Sequence, residues 1–182
     1  MLRGTLYTYS GKIAFPTVAP SLMDIAISLS REGRYAGAGM RWWPVVLHTV
    51  VVCDLLRGPL KIHGLLHDSP ECITGDIPKP IKTDAIEETE HELLVGIYAN
   101  FQLALPTAEE YAEVKCADRL AMRGEVYTVG TQALQSIYDR APEAEELIFK
   151  YLYAYDYRDC LDAGGRAPIE YMRRFRQYQD FK

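Results

Sequence analysis

Between Pro44 and Leu56 the chain runs PVVLHTVVVCDLL, an apolar stretch interrupted by His48, Thr49 and Asp54. A helix with this composition is apolar nearly all round, so it belongs at the centre of a domain rather than on its surface. It is too short to cross a bilayer, which takes about 20 residues. Pro44 suits the first position of the helix, which runs to Arg57 and stops at Gly58-Pro59. The rest of the chain must then supply amphipathic helices to cover it, and the periodicity predicts them. Ser21 with Asp24 makes a weak capping box, followed by Leu22, Ile25, Ala26 and Leu29 up to Gly33. A third helix begins near Pro59 and includes His67-Asp68, with a kink or break just after the pair at Pro70. Thr83 starts a fourth, with Ile86, Leu93, Leu94, Ile97 and Phe101 facing inward. Thr107 with Glu110 caps a fifth, and Pro142 opens an amphipathic segment through Tyr155.

Residues 34–43, RYAGAGMRWW, and the stretch from Ile73 to Lys82 read as loops, the second constrained by Gly75, Pro78 and Pro80. The opening LYTYSGKIAF suggests a short hairpin or extended arm around Ser10-Gly11. The last 25 or so residues are polar and aromatic and carry no clear periodicity. With 182 residues and no repeat or linker, the expectation is a single all-α domain over residues 1–182 with a short N-terminal arm.

A net charge of −5 argues against binding polymeric nucleic acid, which demands a basic surface, but not against a small phosphorylated ligand. Cys53, Cys72, Cys116 and Cys160 show no CxxC spacing, so they read as reduced, mostly buried thiols. No signal peptide or membrane span is visible, and a cytoplasmic protein without a membrane partner is expected.

Four polar residues stand against this apolar background. Tyr111, Val114, Asp118 and Ala121 recur on one helical face, so Asp118 would point inward. An unpaired buried carboxylate costs several kcal/mol, so Asp118 needs a cation, and a metal ion is one way to supply it. His48 poses the same problem more mildly within its apolar helix. His67 and Asp68 are adjacent, ~100° apart on a helix, and can share a target only if they flank it closely. Convergence of His48, His67, Asp68 and Asp118 would make a metal-dependent hydrolase. The blander alternatives are a hydrogen-bonded core histidine, and Asp118 pairing with Lys115 or Arg119. His63 lies one turn before His67, but the glutamate of an HExxH motif is missing, so His63 reads as an ordinary, partly exposed histidine.

The order His48, His67-Asp68, Asp118 on successive helices resembles the HD-domain phosphohydrolases. HDSPECITGDIPKPIK is similar to the segment of bacterial 5′-deoxynucleotidases in which HD is followed by a glutamate and a GD-x-P-x-P-x-K stretch. Arg34-Tyr35 is similar to their arginine–tryptophan pair, with tyrosine in place of tryptophan. YTYSGKIAF followed by DIAISLSREGRYAG resembles short phage-type HD hydrolases, relatives of enzymes that release triphosphate from dATP. The resemblance covers roughly residues 7 to 126.

It implies a helical HD-domain bundle holding one divalent ion (Mn, Co, Fe, Ni or Zn) on His48, His67, Asp68 and Asp118. Glu71 is the implied acid/base or water-positioning residue, against the alternative of a surface salt bridge. Asp76 would reach the sugar hydroxyl or orient the nucleophile, unless it is only a turn residue after Gly75. Arg34 and Lys82 would neutralise phosphate, and Tyr35 would wall the sugar. Lys115 would help with phosphates or only stabilise Asp118. Trp42 and Trp43 are candidates for base stacking, with core or subunit packing as the alternative. The expected activity is hydrolysis of a deoxynucleotide phosphate ester, releasing either phosphate from a monophosphate or triphosphate from a dNTP. The alternatives are a non-catalytic, metal-dependent nucleotide-binding module and an HD hydrolase of a signalling nucleotide. The resemblance also implies a homo-oligomer.

Overall fold

The structure, a computed structural model, describes residues 4–15, 19–162 and 164–179. It is an all-α bundle with a two-stranded hairpin at its start. The apolar segment forms α2, Val45–Leu55, and every residue from Val45 to Cys53 is buried. Around it pack α1 (Leu22–Arg31), α3 (Leu60–Leu66), α6 (Ala108–Thr128), α8 (Pro142–Ala154) and α10 (Arg166–Tyr178). The shorter α4 (Glu71–Thr74), α7 (Gln132–Gln135) and α9 (Tyr157–Leu161), together with the longer α5 (Asp84–Asn100), complete the set.

Both sequence capping boxes form. Ser21 accepts from the Asp24 backbone N–H at 3.1 Å and Thr107 from that of Glu110 at 3.2 Å. Asp24 does more than cap α1. In the hairpin β1 (Gly4–Thr8) pairs antiparallel with β2 (Gly11–Phe15), placing Tyr9-Ser10 at the turn, one residue earlier than expected. The Ser10 backbone N–H and hydroxyl both donate to Asp24, at 2.8 and 2.6 Å, pinning the turn to the start of α1.

The third helix differs from expectation in a way that matters. It ends at Leu66; His67 to Pro70 form a turn, and α4 begins at Glu71. Pro70 has no N–H to donate, and the backbone tightens instead. Ser69, Glu71 and Cys72 each donate to the carbonyl three residues back, at 2.9, 3.0 and 3.2 Å. The break therefore falls on the His-Asp pair rather than after it.

The C-terminal segment, unassigned from sequence, forms α9 and α10. Ala167, Tyr171, Arg174, Phe175 and Tyr178 are the buried stripe of α10. Arg174 hides the pattern from a hydropathy reading. It donates to both oxygens of Asp54 on α2, to Glu170 at 2.8 Å and to the Tyr151 hydroxyl at 2.6 Å. Tyr171 donates to the Leu65 carbonyl at 3.1 Å, so α10 is bolted to α3 as well as α2.

Gly124 sets the spacing on the other side. A Cβ there would stand 2.8 Å from that of Ala144, so its absence lets α6 lie directly on α8. None of the four cysteines is bonded to another; Cys53 and Cys160 are buried, Cys72 is half-buried and Cys116 is exposed.

Candidate metal centre

His48 projects from the middle of α2, His67 and Asp68 from the turn after α3, and Asp118 from α6. The fold brings all four together. His48 Nε2 lies 3.4 Å from an Asp68 oxygen and 3.2 Å from an Asp118 oxygen. His67 Nε2 lies 3.1 and 3.7 Å from the same two atoms. One ligand atom each from His48, His67 and Asp118 fall within 4.8 Å of one another, a group that can hold a metal ion.

The hydrogen bonds behind the rings decide what the front faces carry. His67 Nδ1 is 2.8 Å from the Gly64 carbonyl, which can only accept, so this nitrogen bears a proton. His48 Nδ1 is 2.6 Å from a Glu125 oxygen and donates to it likewise. In the neutral rings both Nε2 atoms then turn a lone pair toward two carboxylates. Both Nε2 atoms are buried and lack a hydrogen-bond partner in the described structure. Lone pairs facing carboxylates repel unless positive charge lies between them, and the donor set of imidazole and carboxylate is one that divalent ions accept. Without an ion, protons must supply that charge. Burial pushes His67 down, but the charges of Asp68 and Asp118 outweigh it and raise it to about 10. Asp68 and Asp118 are each pushed up by burial and pulled further down, well below the usual carboxylate range, by the two imidazoles.

Beside the cluster lies a cleft of about 770 Å³, lined by residues of α3, α5 and α6 and of the loops joining them. Of the expected site residues, His67, Asp68, Glu71, Lys82 and Lys115 line it. Glu71 is buried, one of its carboxyl oxygens has no partner, and its pKa is raised to about 9 by burial and then by the charges of Asp68 and Asp76. That environment rules out the surface salt bridge. Lys115 donates to Asp118 at 3.0 Å, the pairing left open by the sequence. Lys82 is paired with Glu90 at 2.6 Å.

Arg34, Tyr35 and Asp76 are not among the residues lining this cleft. Arg34 sits 3.4 Å from Asp76 on one side and 3.4 Å from Glu125 on the other. Tyr35 donates to Glu125 at 3.1 Å. Trp43 is a core residue whose indole N–H also donates to Glu125, at 2.8 Å. Trp42 packs edge-on against Tyr157. Tyr111, expected inward, is instead half exposed beside Lys115 at the cleft. His63 also lines the cleft and stacks on Tyr98, with its Nδ1 2.9 Å from the hydroxyl.

Glu125 was missed by the sequence reading. It lies seven residues after Asp118, the next step of the same inward stripe, and is fully buried. Burial pushes its carboxyl up, but His48, Arg34 and the donated hydrogen bonds outweigh that and hold it at about 2.

No family model matches the chain. Over 59 residues it is 37% identical to the uncharacterized protein YfdR of Escherichia coli (strain K12). That stretch is 32% of this chain, and the chain spans about a third of the length of this curated relative.

Proposed function

We propose that the protein is a metal-dependent phosphohydrolase of the HD type acting on nucleotides. One observation carries the reading: two buried, unpartnered Nε2 atoms face two carboxylates at the wall of an open cleft. His48, His67 and Asp118 would hold a divalent ion of the Mn, Fe, Co, Ni or Zn group, with Asp68 beside them. Such an ion, when bound, polarises a phosphoryl oxygen and lowers the pKa of water.

The chain's own groups supply the rest. Glu71, buried in the cleft with one free oxygen, holds or accepts a proton there and is the acid/base of the proposal. Lys79, Lys82 and Lys115 line the same cleft and neutralise phosphate. Leu94, Tyr98 and Tyr111 give it an apolar wall for the organic part of the substrate. Arg34 and Asp76 pair with one another beside this cleft, close enough for both charges to act on Glu71, and are kept as candidate contacts to the phosphate and the sugar.

Charge favours one phosphate over three. Lys82 and Lys115 are already paired with Glu90 and Asp118, and Glu71, Glu87 and Glu90 also line the cleft. A deoxynucleoside monophosphate fits that balance better than a triphosphate. Incubation of the Mn²⁺- or Co²⁺-loaded protein with dAMP and with dATP, followed by separation of phosphate from triphosphate, tests this. Phosphate from dAMP is expected, and Glu71→Gln should slow its release by about 10²–10⁴-fold while keeping its metal. Bound metal with no turnover of any nucleotide would leave a non-catalytic binding module.

A further inference from the structure

We propose that Glu125 is a positioning residue for the metal centre, holding His48 in the one tautomer that can ligate. The inference rests on the metal reading above and extends it to a residue outside the expected site. Four groups from three parts of the chain converge on this single carboxylate. One oxygen accepts from Trp43 Nε1 at 2.8 Å and from His48 Nδ1 at 2.6 Å. The other accepts from Tyr35 at 3.1 Å and from Arg34 at 3.4 Å. Glu125 and His48 are both fully buried, so bulk solvent does not reach the bond between them.

The backbone is bent to make this possible. Arg34 to Gly37 form a 3₁₀ turn in which Tyr35 and Ala36 take φ of 58° and 51°. Left-handed conformations are strained for a non-glycine residue and persist only where surrounding contacts hold them. Here the contacts are those of Arg34 and Tyr35 with Glu125, together with the Arg34 N–H to the Trp43 carbonyl at 2.9 Å. Strain in the turn is thus tied to the orientation of one carboxylate. A carboxylate on Nδ1–H leaves Nε2 free of a proton, and partners of this kind orient the ring and raise its basicity toward a cation. Glu125 also holds Arg34, whose other side holds Asp76, so the same residue reaches the loop that follows Glu71.

The experiment measures Co²⁺ and Zn²⁺ affinity by calorimetry for the parent, Glu125→Ala and Glu125→Gln. Far-UV circular dichroism checks each fold, and ¹⁵N NMR of the histidine rings reports the tautomer. Glu125→Ala should bind about 10–100-fold more weakly. Glu125→Gln should stay within a few-fold of the parent, with His48 still protonated at Nδ1. Its oxygen can face Trp43 and His48, both donors, while its amide donates to the Tyr35 hydroxyl; Arg34 loses this acceptor and keeps Asp76. Folded Glu125→Ala that binds as tightly as the parent overturns the inference. So does folded Glu125→Gln that loses affinity or shows His48 protonated at Nε2, and that variant decides the matter if the alanine chain does not fold. A parent chain that takes up neither ion overturns the metal reading itself, and the inference with it.

Discussion

Arg174→Ala should be among the more destabilising single changes away from the metal centre, and more damaging than loss of its partner Asp54. The two side chains keep only 8% and 15% exposure, so the pair is largely cut off from water. Removing one member of a buried pair costs about 3–5 kcal/mol, because the other charge is left uncompensated. Asp54 keeps the Tyr151 hydroxyl at 2.5 Å, which places the expected cost near the lower end, about 3 kcal/mol. Asp54→Ala is milder, about 1–2 kcal/mol, because Arg174 retains Glu170 at 2.8 Å and the Tyr151 oxygen at 2.6 Å. For a chain of this size the arginine variant should melt about 6–12 °C lower. Urea unfolding at constant m-value measures both changes.

The pH dependence supplies a second check. In the parent, burial pushes Asp54 up, but the hydrogen bonds from Arg174 and Tyr151 and the charge of Arg174 outweigh it and lower its pKa. Its contribution to stability is therefore full above the unfolded value of about 3.9 and is lost as pH falls below it. Without Arg174, burial dominates and the folded pKa rises above the unfolded one. The variant then sheds its penalty on acidification, so the gap to the parent should narrow between neutral pH and about pH 3. A gap that is constant with pH, or an Asp54→Ala cost equal to that of Arg174→Ala, would refute the argument.

Two further outcomes follow from the geometry. Divalent metal should stabilise the fold by about 2.7 kcal/mol at a hundred times Kd, seen as a concentration-dependent rise in melting temperature, and His63→Ala should leave that shift unchanged. Thermal scans with increasing Co²⁺ check it, and a shift lost in the His63 variant would place that residue among the ligands. Asp24→Ala should free the hairpin, with faster proteolysis there and a loss of about 1 kcal/mol. Burial pushes the Asp24 carboxyl up, and the bonds from Ser10 and Ser21 outweigh it to hold it at about 2. Its contribution is therefore full above about 3.9 and lost as pH falls through about 2.

Much of the bundle was legible because it depends on local signals. The apolar run announced α2, and Ser21/Asp24 and Thr107/Glu110 announced the starts of α1 and α6. His48 and Asp118 stood out because they interrupt apolar faces. Features that depend on distant partners did not. Arg174 broke the stripe of α10 because its partner Asp54 lies 120 residues away. The acceptors that Arg34 meets in the structure, Asp76 and Glu125, lie 42 and 91 residues away, beyond the reach of any local pattern. Glu125 could have been found: the stripe through Tyr111, Val114, Asp118 and Ala121 reaches it at the next step.

The exposure of the four converging side chains is graded, from 0% for His48 and 3% for His67 to 14% for Asp68 and 22% for Asp118. His48 closes the back of the cluster, and its open side is the cleft, which His67, Asp68 and Lys115 border. Under the proposed function, traffic through such a site would have a fixed order: the ion would arrive before the nucleotide and depart after it. A nucleotide lodged in the cleft would act as a stopper, lengthening the residence time of the ion behind it.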